Sequence, residues 1–208
     1  MVKTNQILIS NKSFVLYDTL DKIDSYLEEL ELGKKDELHV RLLIEETLGM
    51  LGALTGEYHA ILWAEKEDKK CSVKLIAKTE MDVDKKRELL AVSKTGENAL
   101  AKGFMGKIGD IIENGILNYE NLMRLQQVYG GGYVDYAAIG GTPTETVFTW
   151  SLDQYKDALS NEMEENEAAT HAWDELEKSI VASLAKDVIV GVKKDQVELT
   201  MVTELSGK

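Results

Sequence analysis

The sequence predicts an α+β two-layer sandwich, in which helices cover one face of a mixed, mostly antiparallel sheet. Two patterns support this class. Apolar residues recur at three- and four-residue steps in 20–30 and 38–54, as they do on the buried side of a helix. Apolar-rich runs flank a charged turn within 59–77, which is typical of a β-hairpin. A chain of 208 residues that is 44% hydrophobic is long and apolar enough for these elements to share a core.

The N-terminal part is predicted to run from short strands into two helices. Strand-like runs occur around Ile7–Ile9 and Phe14–Leu16. We expect Gly33 to cap the C-terminus of the first helix and Asp36 to cap the N-terminus of the second. The second helix, 38–54, is apolar around much of its girth, so we expect it to be central.

The second half of the chain combines glycine-rich segments, an acidic run and another hairpin pattern. Clustered glycines and the single proline mark 130–144 as a loop, and β-branched and aromatic residues mark 145–152 as a strand. We divide the chain into a domain of 1–152, an acidic linker of 153–170, and an appendage of 171–208 built from a helix and a hairpin that turns at 193–196. The appendage has the same order of helix, strand, charged turn and strand as 38–77, so an internal repeat is a further hypothesis.

The composition limits the partners that the protein is expected to bind. A net charge of −13 opposes binding to nucleic acid and to anionic lipid, both of which need a Lys/Arg surface. We therefore expect neither nucleic acid nor a membrane as partner, while a homo-oligomer stays open. The single cysteine, Cys71, allows no disulfide within the chain and is predicted to be a buried strand residue. The first ten residues carry no long apolar run, so we expect a cytoplasmic protein.

Four stretches, taken in order, resemble elements of the histidine-kinase-type ATPases (the Bergerat fold), and among these the small anti-sigma regulatory factor kinases of bacteria. "LHVRLLIEETLGMLGAL" is similar to the helix that carries a catalytic Glu and, four residues later, a Mg²⁺-binding Asn. "CSVKLIAKTEMD" resembles the strand that ends in an adenine-binding Asp. "KGFMGKIGDII" looks like the glycine box that holds the phosphates, and "GGTPTETVFTWSL" like the closing strand. The resemblance covers 5–152 and implies a sandwich of the histidine-kinase-like type.

The resemblance also implies site residues. Glu46 or Glu45 would be the catalytic acid. The nucleotide-binding positions would be Met50, Thr79, Gly103, Gly106, Lys107 and Thr142. Met50 stands where the family has its metal-binding Asn if Glu46 is the acid, and Gly49 does so if Glu45 is. Neither of these two residues offers the side-chain oxygen that Mg²⁺ prefers, so we expect no magnesium site.

These departures from the motifs predict a degenerate ATPase domain with a regulatory function. The protein would bind a protein partner of the sigma-factor or antagonist type, with ATP or ADP as an additional ligand. Two alternatives stay open: an ATP-dependent protein serine kinase with an atypical site, and an interaction protein that no longer binds nucleotide. A simpler interpretation of the glutamates is also open, because Arg41 lies one helical turn before Glu45 and can pair with it.

Overall fold

The computed structural model describes residues 1–10, 16–54, 58–79, 132–133, 148–163, 166–193 and 196–206. The strands in this part of the chain are β1 (Val2–Lys3), β2 (Ile7–Ser10), β3 (Tyr58–Glu67), β4 (Lys70–Thr79), β5 (Gly132–Tyr133), β6 (Phe148–Ser151), β7 (Asp187–Lys193) and β8 (Gln196–Glu204). The helices are α1 (Leu16–Glu29), α2 (Lys34–Leu54), α3 (Leu152–Glu162), α4 (Glu167–Glu177) and α5 (Ile180–Leu184). A strand predicted at 14–16 has its first two residues outside the described ranges, and Leu16 begins α1 instead.

The strands form one sheet in the order β1-β3-β4-β8-β7-β6-β5, with β2 also pairing with β3. Every pair among the described strands is antiparallel. The predicted α+β class is therefore confirmed, as is the mostly antiparallel character of the sheet. No parallel pair, which a mixed sheet would contain, occurs in the described ranges.

The core lies between the helices and one face of the sheet. Alternate strand residues are buried, and the strand registers align them in rows that cross the sheet. One row consists of Ile7, Leu62, Leu75, Leu199, Val190 and Trp150. Helix α2 buries Val40, Leu43, Ile44, Thr47 and Leu48 against this face. Each fully buried Leu or Ile in such a core contributes about 1.5–3 kcal/mol relative to an exposed one.

The hairpin of β7 and β8, predicted as part of an appendage, lies inside this same sheet. Strand β8 pairs with β4 from Gln196, opposite Lys78, to Glu204, opposite Lys70. The sequence pattern identified the two strands and the turn between Lys193 and Gln196 correctly. Alternating hydrophobicity shows that a strand has one buried face, but it does not show which strand it pairs with.

The acidic run at 153–170, predicted as a linker, is helical where the structure describes it. Helix α3 buries Leu152, Tyr155 and Leu159, and its N-cap Ser151 accepts a hydrogen bond from the Gln154 amide. Helix α4 follows and buries Ala169 and Leu176. The charged residues of the run cover the solvent side of helices whose apolar residues are spaced three and four apart.

The two halves of the described chain contain the same order of elements, as the hypothesis of an internal repeat predicts. A strand, two helices and a hairpin occur as β2-α1-α2-β3-β4, and again as β6-α3-α4-β7-β8 with the short α5 inserted. The last strands of the two units, β4 and β8, pair at the middle of the sheet. Their buried positions correspond from the hairpin turn onward: Cys71, Val73, Leu75 and Ala77 in β4, and Val197, Leu199, Met201 and Thr203 in β8.

Two predicted helix caps are wrong. The left-handed residue after α1 is Glu31, with a φ of 47°, and not Gly33. Gly33 instead precedes α2, where its carbonyl accepts the first helical hydrogen bond from the Glu37 amide at 2.9 Å. Asp36 lies within the first turn of α2, and its carboxylate holds Ser206 near the end of the chain. A single sequence does not show which of several adjacent polar or glycine residues takes the cap position.

Candidate functional site

The two candidate catalytic acids lie on the side of α2 that faces away from the sheet. The buried stripe of α2 includes Leu43, Ile44 and Thr47, which directs positions 45 and 46 away from the core. The Thr47 hydroxyl donates to the Leu43 carbonyl at 2.6 Å and lies 3.2 Å from the Met201 sulfur, which fixes the rotation of the helix on the sheet. The sequence therefore places both glutamates on the outer half of the helix layer.

Glu45 is engaged in an ion pair. Its Oε1 accepts a hydrogen bond from Arg41 Nε at 3.0 Å, and Arg41 Nη1 lies 3.1 Å from Asp24 Oδ1 on α1. The interpretation of Glu45 as the partner of Arg41 is thus confirmed. Arg41 links two carboxylates from neighbouring helices, so the group ties α1 to α2. Glu46, the other candidate acid, is half-buried.

Of the other predicted site residues, two lie in described elements and four do not. Met50 lies in the C-terminal part of α2, and Thr79 is the last residue of β4, paired with Tyr58. The predicted phosphate- and nucleotide-binding residues Gly103, Gly106, Lys107 and Thr142 lie outside the described residues. The nucleotide site therefore stays a prediction. Within the described ranges, no group of three His, Cys, Asp or Glu side chains is arranged to hold a metal ion.

A polar cluster that the sequence analysis did not identify lies on the other face of the sheet. Glu65 accepts hydrogen bonds from Lys74 Nζ at 2.6 Å and Trp63 Nε1 at 2.9 Å, and Lys3 Nζ lies at 3.3 Å. Lys3 Nζ also stands 4.9 Å from the centroid of the Trp63 ring, at cation–π distance. The bond from Lys74, with further donation from Trp63 and Lys3, lowers the pKa of Glu65 from 4.5 to about 2, although partial burial opposes this shift. The sequence does contain a pattern from which part of this cluster could have been predicted. The alternation in "HAILWAEKE" places Trp63 and Glu65 on the same side of β3.

An apolar row lies beside this cluster. Leu8, Ile61 and Ile76 are paired in register across β2, β3 and β4. Leu8 is 74% exposed and Ile61 is 37% exposed, while Ile76 and Trp63 are half-buried. We call the outward-facing residues of β3 and β4 the hairpin face: His59, Ile61, Trp63, Glu65, Glu67, Lys70, Ser72, Lys74, Ile76 and Lys78. None of the described helices packs on this side of the β3–β4 hairpin, because they contact the buried row instead.

A cavity of about 180 Å³ lies where α1 ends and α2 begins, next to the turn between β3 and β4. Two of its charged side chains have structural roles. Lys66 Nζ donates to the carbonyls of Leu30 and Glu31 at the end of α1, at 2.7 and 3.2 Å. Asp36 accepts the amide of Ser206 at 3.0 Å and its hydroxyl at 2.9 Å. These contacts fasten the helix ends and the C-terminal segment to the sheet.

Cys71 is fully buried on the helix side of β4. Desolvation raises the pKa of its thiol to about 12, with a smaller opposing effect from Lys66. A thiol in this environment remains protonated at neutral pH and is a poor nucleophile. The predicted role of Cys71 as a buried strand residue is confirmed.

Charge is distributed unevenly between the two layers. The sequences of α1 and α4 each carry a net charge of −4, α3 carries −2 and α2 carries −1, so the described helices hold −11 of the chain's −13. The hairpin face has two glutamates and three lysines, a net charge of +1. The helix layer is therefore strongly acidic, while the outward face of the hairpin is close to neutral.

No family model matches the chain, and comparison with curated proteins and with solved structures gives no significant match. The resemblance to histidine-kinase-type ATPases and to anti-sigma factors therefore stays a prediction. None of the described helices combines the length and hydrophobicity needed to cross a membrane.

Proposed function

We propose that this chain is a regulatory protein that acts by binding a partner protein with a basic surface, and that its acidic helix layer is the surface that recognises this partner. The observation that carries the proposal is the concentration of charge: the described helices hold −11 of the net −13. A field of one sign on one side of a protein steers and orients an oppositely charged partner.

The partner chemistry follows from this surface. Exposed carboxylates of α1 and α4, among them Glu28, Glu167 and Asp174, repel nucleic acid but attract a Lys/Arg surface. Proteins that bind nucleic acid carry such surfaces, and a sigma factor is one of them. An acidic layer that occupies the basic surface of a nucleic-acid-binding protein would compete with its nucleic acid, which is a regulatory effect.

One of the two candidate catalytic acids already has a structural role. Glu45 already pairs with Arg41, which in turn reaches Asp24. The contacts of Arg41 with Glu45 and Asp24 hold α2 against α1, so Glu45 has a structural role. Glu46 is the candidate acid that is left for the kinase alternative, so phosphotransfer and the binding of ATP or ADP are matters for experiment.

The first test measures retention of partners from a lysate of the source cells on the immobilised protein, at low salt and at about 0.5 M salt, where exposed charge pairs are largely screened. We expect basic, nucleic-acid-binding proteins to be retained at low salt and released at high salt. The variant Glu28→Lys/Asp174→Lys changes two exposed helix positions and is expected to lose them. The control Glu67→Lys/Glu204→Lys makes the same change in charge at exposed strand positions and is expected to keep them. Equal retention by both variants contradicts the proposal.

The second test measures whether the protein binds ATP or ADP, independently of any partner protein. A ligand that binds only the native state raises the melting temperature by mass action, so Mg-ATP and Mg-ADP are added at millimolar concentration in a thermal unfolding assay. A rise would show that nucleotide binds, and Glu46→Gln then tests for phosphotransfer. An unchanged melting temperature removes nucleotide from the proposal and leaves the basic partner. Phosphate transfer to a protein by the wild type, lost in Glu46→Gln, would favour the kinase alternative instead.

A further inference from the structure

We propose that the hairpin face binds a second copy of this chain, with a two-fold axis that runs along the hairpin between β3 and β4. This inference is independent of the proposed function, because it concerns the opposite side of the molecule. The two sheets would pack face to face, and the acidic helix layers would lie on the outside of a four-layer dimer.

The exposure of the apolar row supports an interface. Leu8 is 74% exposed and Ile61 37% exposed, and both lie in register with half-buried Ile76. Adjacent aliphatic side chains with a half-buried tryptophan beside them form a contiguous apolar surface. Surfaces of this kind, with a rim of charged residues, are characteristic of sites of protein association.

The distribution of charge indicates the face through which a second copy can approach. Two molecules with a net charge of −13 repel each other wherever their helix layers approach. The hairpin face carries +1, so a second copy can approach it with less repulsion than it meets at the helix layer. Face-to-face packing also separates the two acidic helix layers by the thickness of both sheets.

The register explains why a two-fold axis between β3 and β4 suits this face. Such an axis places each outward residue of β3 over its cross-strand neighbour in the other copy's β4. Ile61 would therefore face the other copy's Ile76, and Trp63 would face the other copy's Lys74. The contact between Ile61 and Ile76 joins two apolar side chains, and the contact between Trp63 and Lys74 places a cation on an indole ring. The surface is therefore complementary to itself.

The size of the face indicates a small interface. Strands of ten residues are about 34 Å long, and the hairpin with its neighbours, β1/β2 on one side and β8 on the other, is about 19 Å wide, which gives about 600 Å² per copy. The neighbouring strands add outward Lys3, Glu198 and Glu204, so this wider face has no net charge. A stable interface commonly buries about 800 Å² per partner. We therefore expect a reversible dimer with a dissociation constant of micromolar order.

The first experiment is sedimentation velocity of the full chain from about 1 to 100 µM, a range that spans the expected dissociation constant. The wild type is expected to shift from monomer to dimer across this range. Ile61→Glu is expected to weaken the dimer at least about tenfold, because it buries a charge at the centre of the interface. The control Leu38→Glu makes a comparable change at a residue of α2 that is 55% exposed and is expected to leave the dimer intact. A monomer at every concentration, or a dimer unaffected by Ile61→Glu, overturns the proposal.

The second experiment tests the axis by mixing two variants that each fail to dimerise alone, Ile61→Glu and Ile76→Lys. In a mixed dimer with the proposed axis, the new glutamate faces the new lysine, and the other two positions keep their isoleucine contact. Mixing is therefore expected to restore dimerisation to within about threefold of the wild type, since each contact is complementary again. An axis along β3 alone would place Ile61 over the other copy's Ile61 and give no rescue. Far-UV circular dichroism of each variant shows whether it is folded, and failure of two folded variants to associate overturns the proposed axis.

Discussion

Replacing Glu65 with glutamine removes one charge from the outward face of the sheet without changing the size of the side chain. The Glu65 side chain is 16% exposed, and its carboxylate accepts hydrogen bonds from Lys74, Trp63 and Lys3. The amide that replaces it keeps one acceptor for these donors but no longer neutralises the two ammonium groups. The variant should therefore be less stable at neutral pH, and the loss should disappear in acid.

The magnitude follows from the pKa. Lowering the pKa of Glu65 from 4.5 to about 2 corresponds to at most about 3 kcal/mol of stability at pH 7. Lysine side chains of the cluster remain 34% and 43% exposed, so solvent screens part of this interaction. We expect Glu65→Gln to lower the free energy of unfolding by about 1–2 kcal/mol at pH 7, after allowance for this screening and for the acceptor that glutamine retains.

The sign of the pH dependence is fixed by the direction of the shift. Because the folded-state pKa lies below the unfolded one, the stabilisation is complete above about pH 4.5 and is lost as the pH falls toward 2. Urea unfolding of both proteins at intervals from pH 7 to pH 2 measures it. The control is Glu67→Gln, the same chemical change at an exposed position on the same strand, with an expected effect below about 0.5 kcal/mol. A difference between wild type and Glu65→Gln that is constant across this pH range would refute the reasoning.

Three further outcomes are expected. Glu31→Gly should raise the free energy of unfolding by about 0.5–1 kcal/mol in urea titrations, because glycine adopts the left-handed φ of 47° without strain; a destabilised variant contradicts this. The Cys71 thiol should not react with a thiol-specific disulfide reagent at pH 8 in the folded protein and should react fully in denaturant; rapid reaction of the native chain argues against its burial. Asp36→Ala should cost about 1–3 kcal/mol in thermal or urea unfolding by releasing Ser206, and an unchanged stability would show that this contact contributes nothing.

The local elements of this protein were largely predictable because their patterns are local. The three- and four-residue spacing of apolar residues predicts α1 and α2, and the charged turn between two apolar runs predicts both hairpins. The pairing of Arg41 with Glu45 was also accessible, since residues one helical turn apart are neighbours in any helix. The C-terminal cap of α1 could not be predicted from the sequence. Glu31 and Gly33 both lie between the two helices, and only the path of the chain determines which of them takes the left-handed conformation.

Tertiary structure decided where the elements meet. The sequence pattern predicted an appendage at 171–208. In the structure, β8 from this segment lies beside β4 and buries Leu199 against Leu75 at the centre of the sheet. Strand pairing depends on hydrogen bonds between backbones, which are the same for every strand, and on rows of side chains from distant parts of the chain. Periodicity within one strand carries no information about its neighbour.

The sequence by itself determined the class of the fold, the amphipathic helices α1 and α2, the two hairpins and the acidity of the chain, because each depends on composition or on residues that are close together in the sequence. Only the tertiary structure showed that the acidity is concentrated in one layer, that Glu65 gathers Lys3, Trp63 and Lys74, and that Leu8, Ile61 and Ile76 form one exposed row. These groupings join residues from different strands, and it is the pairing register that brings them together.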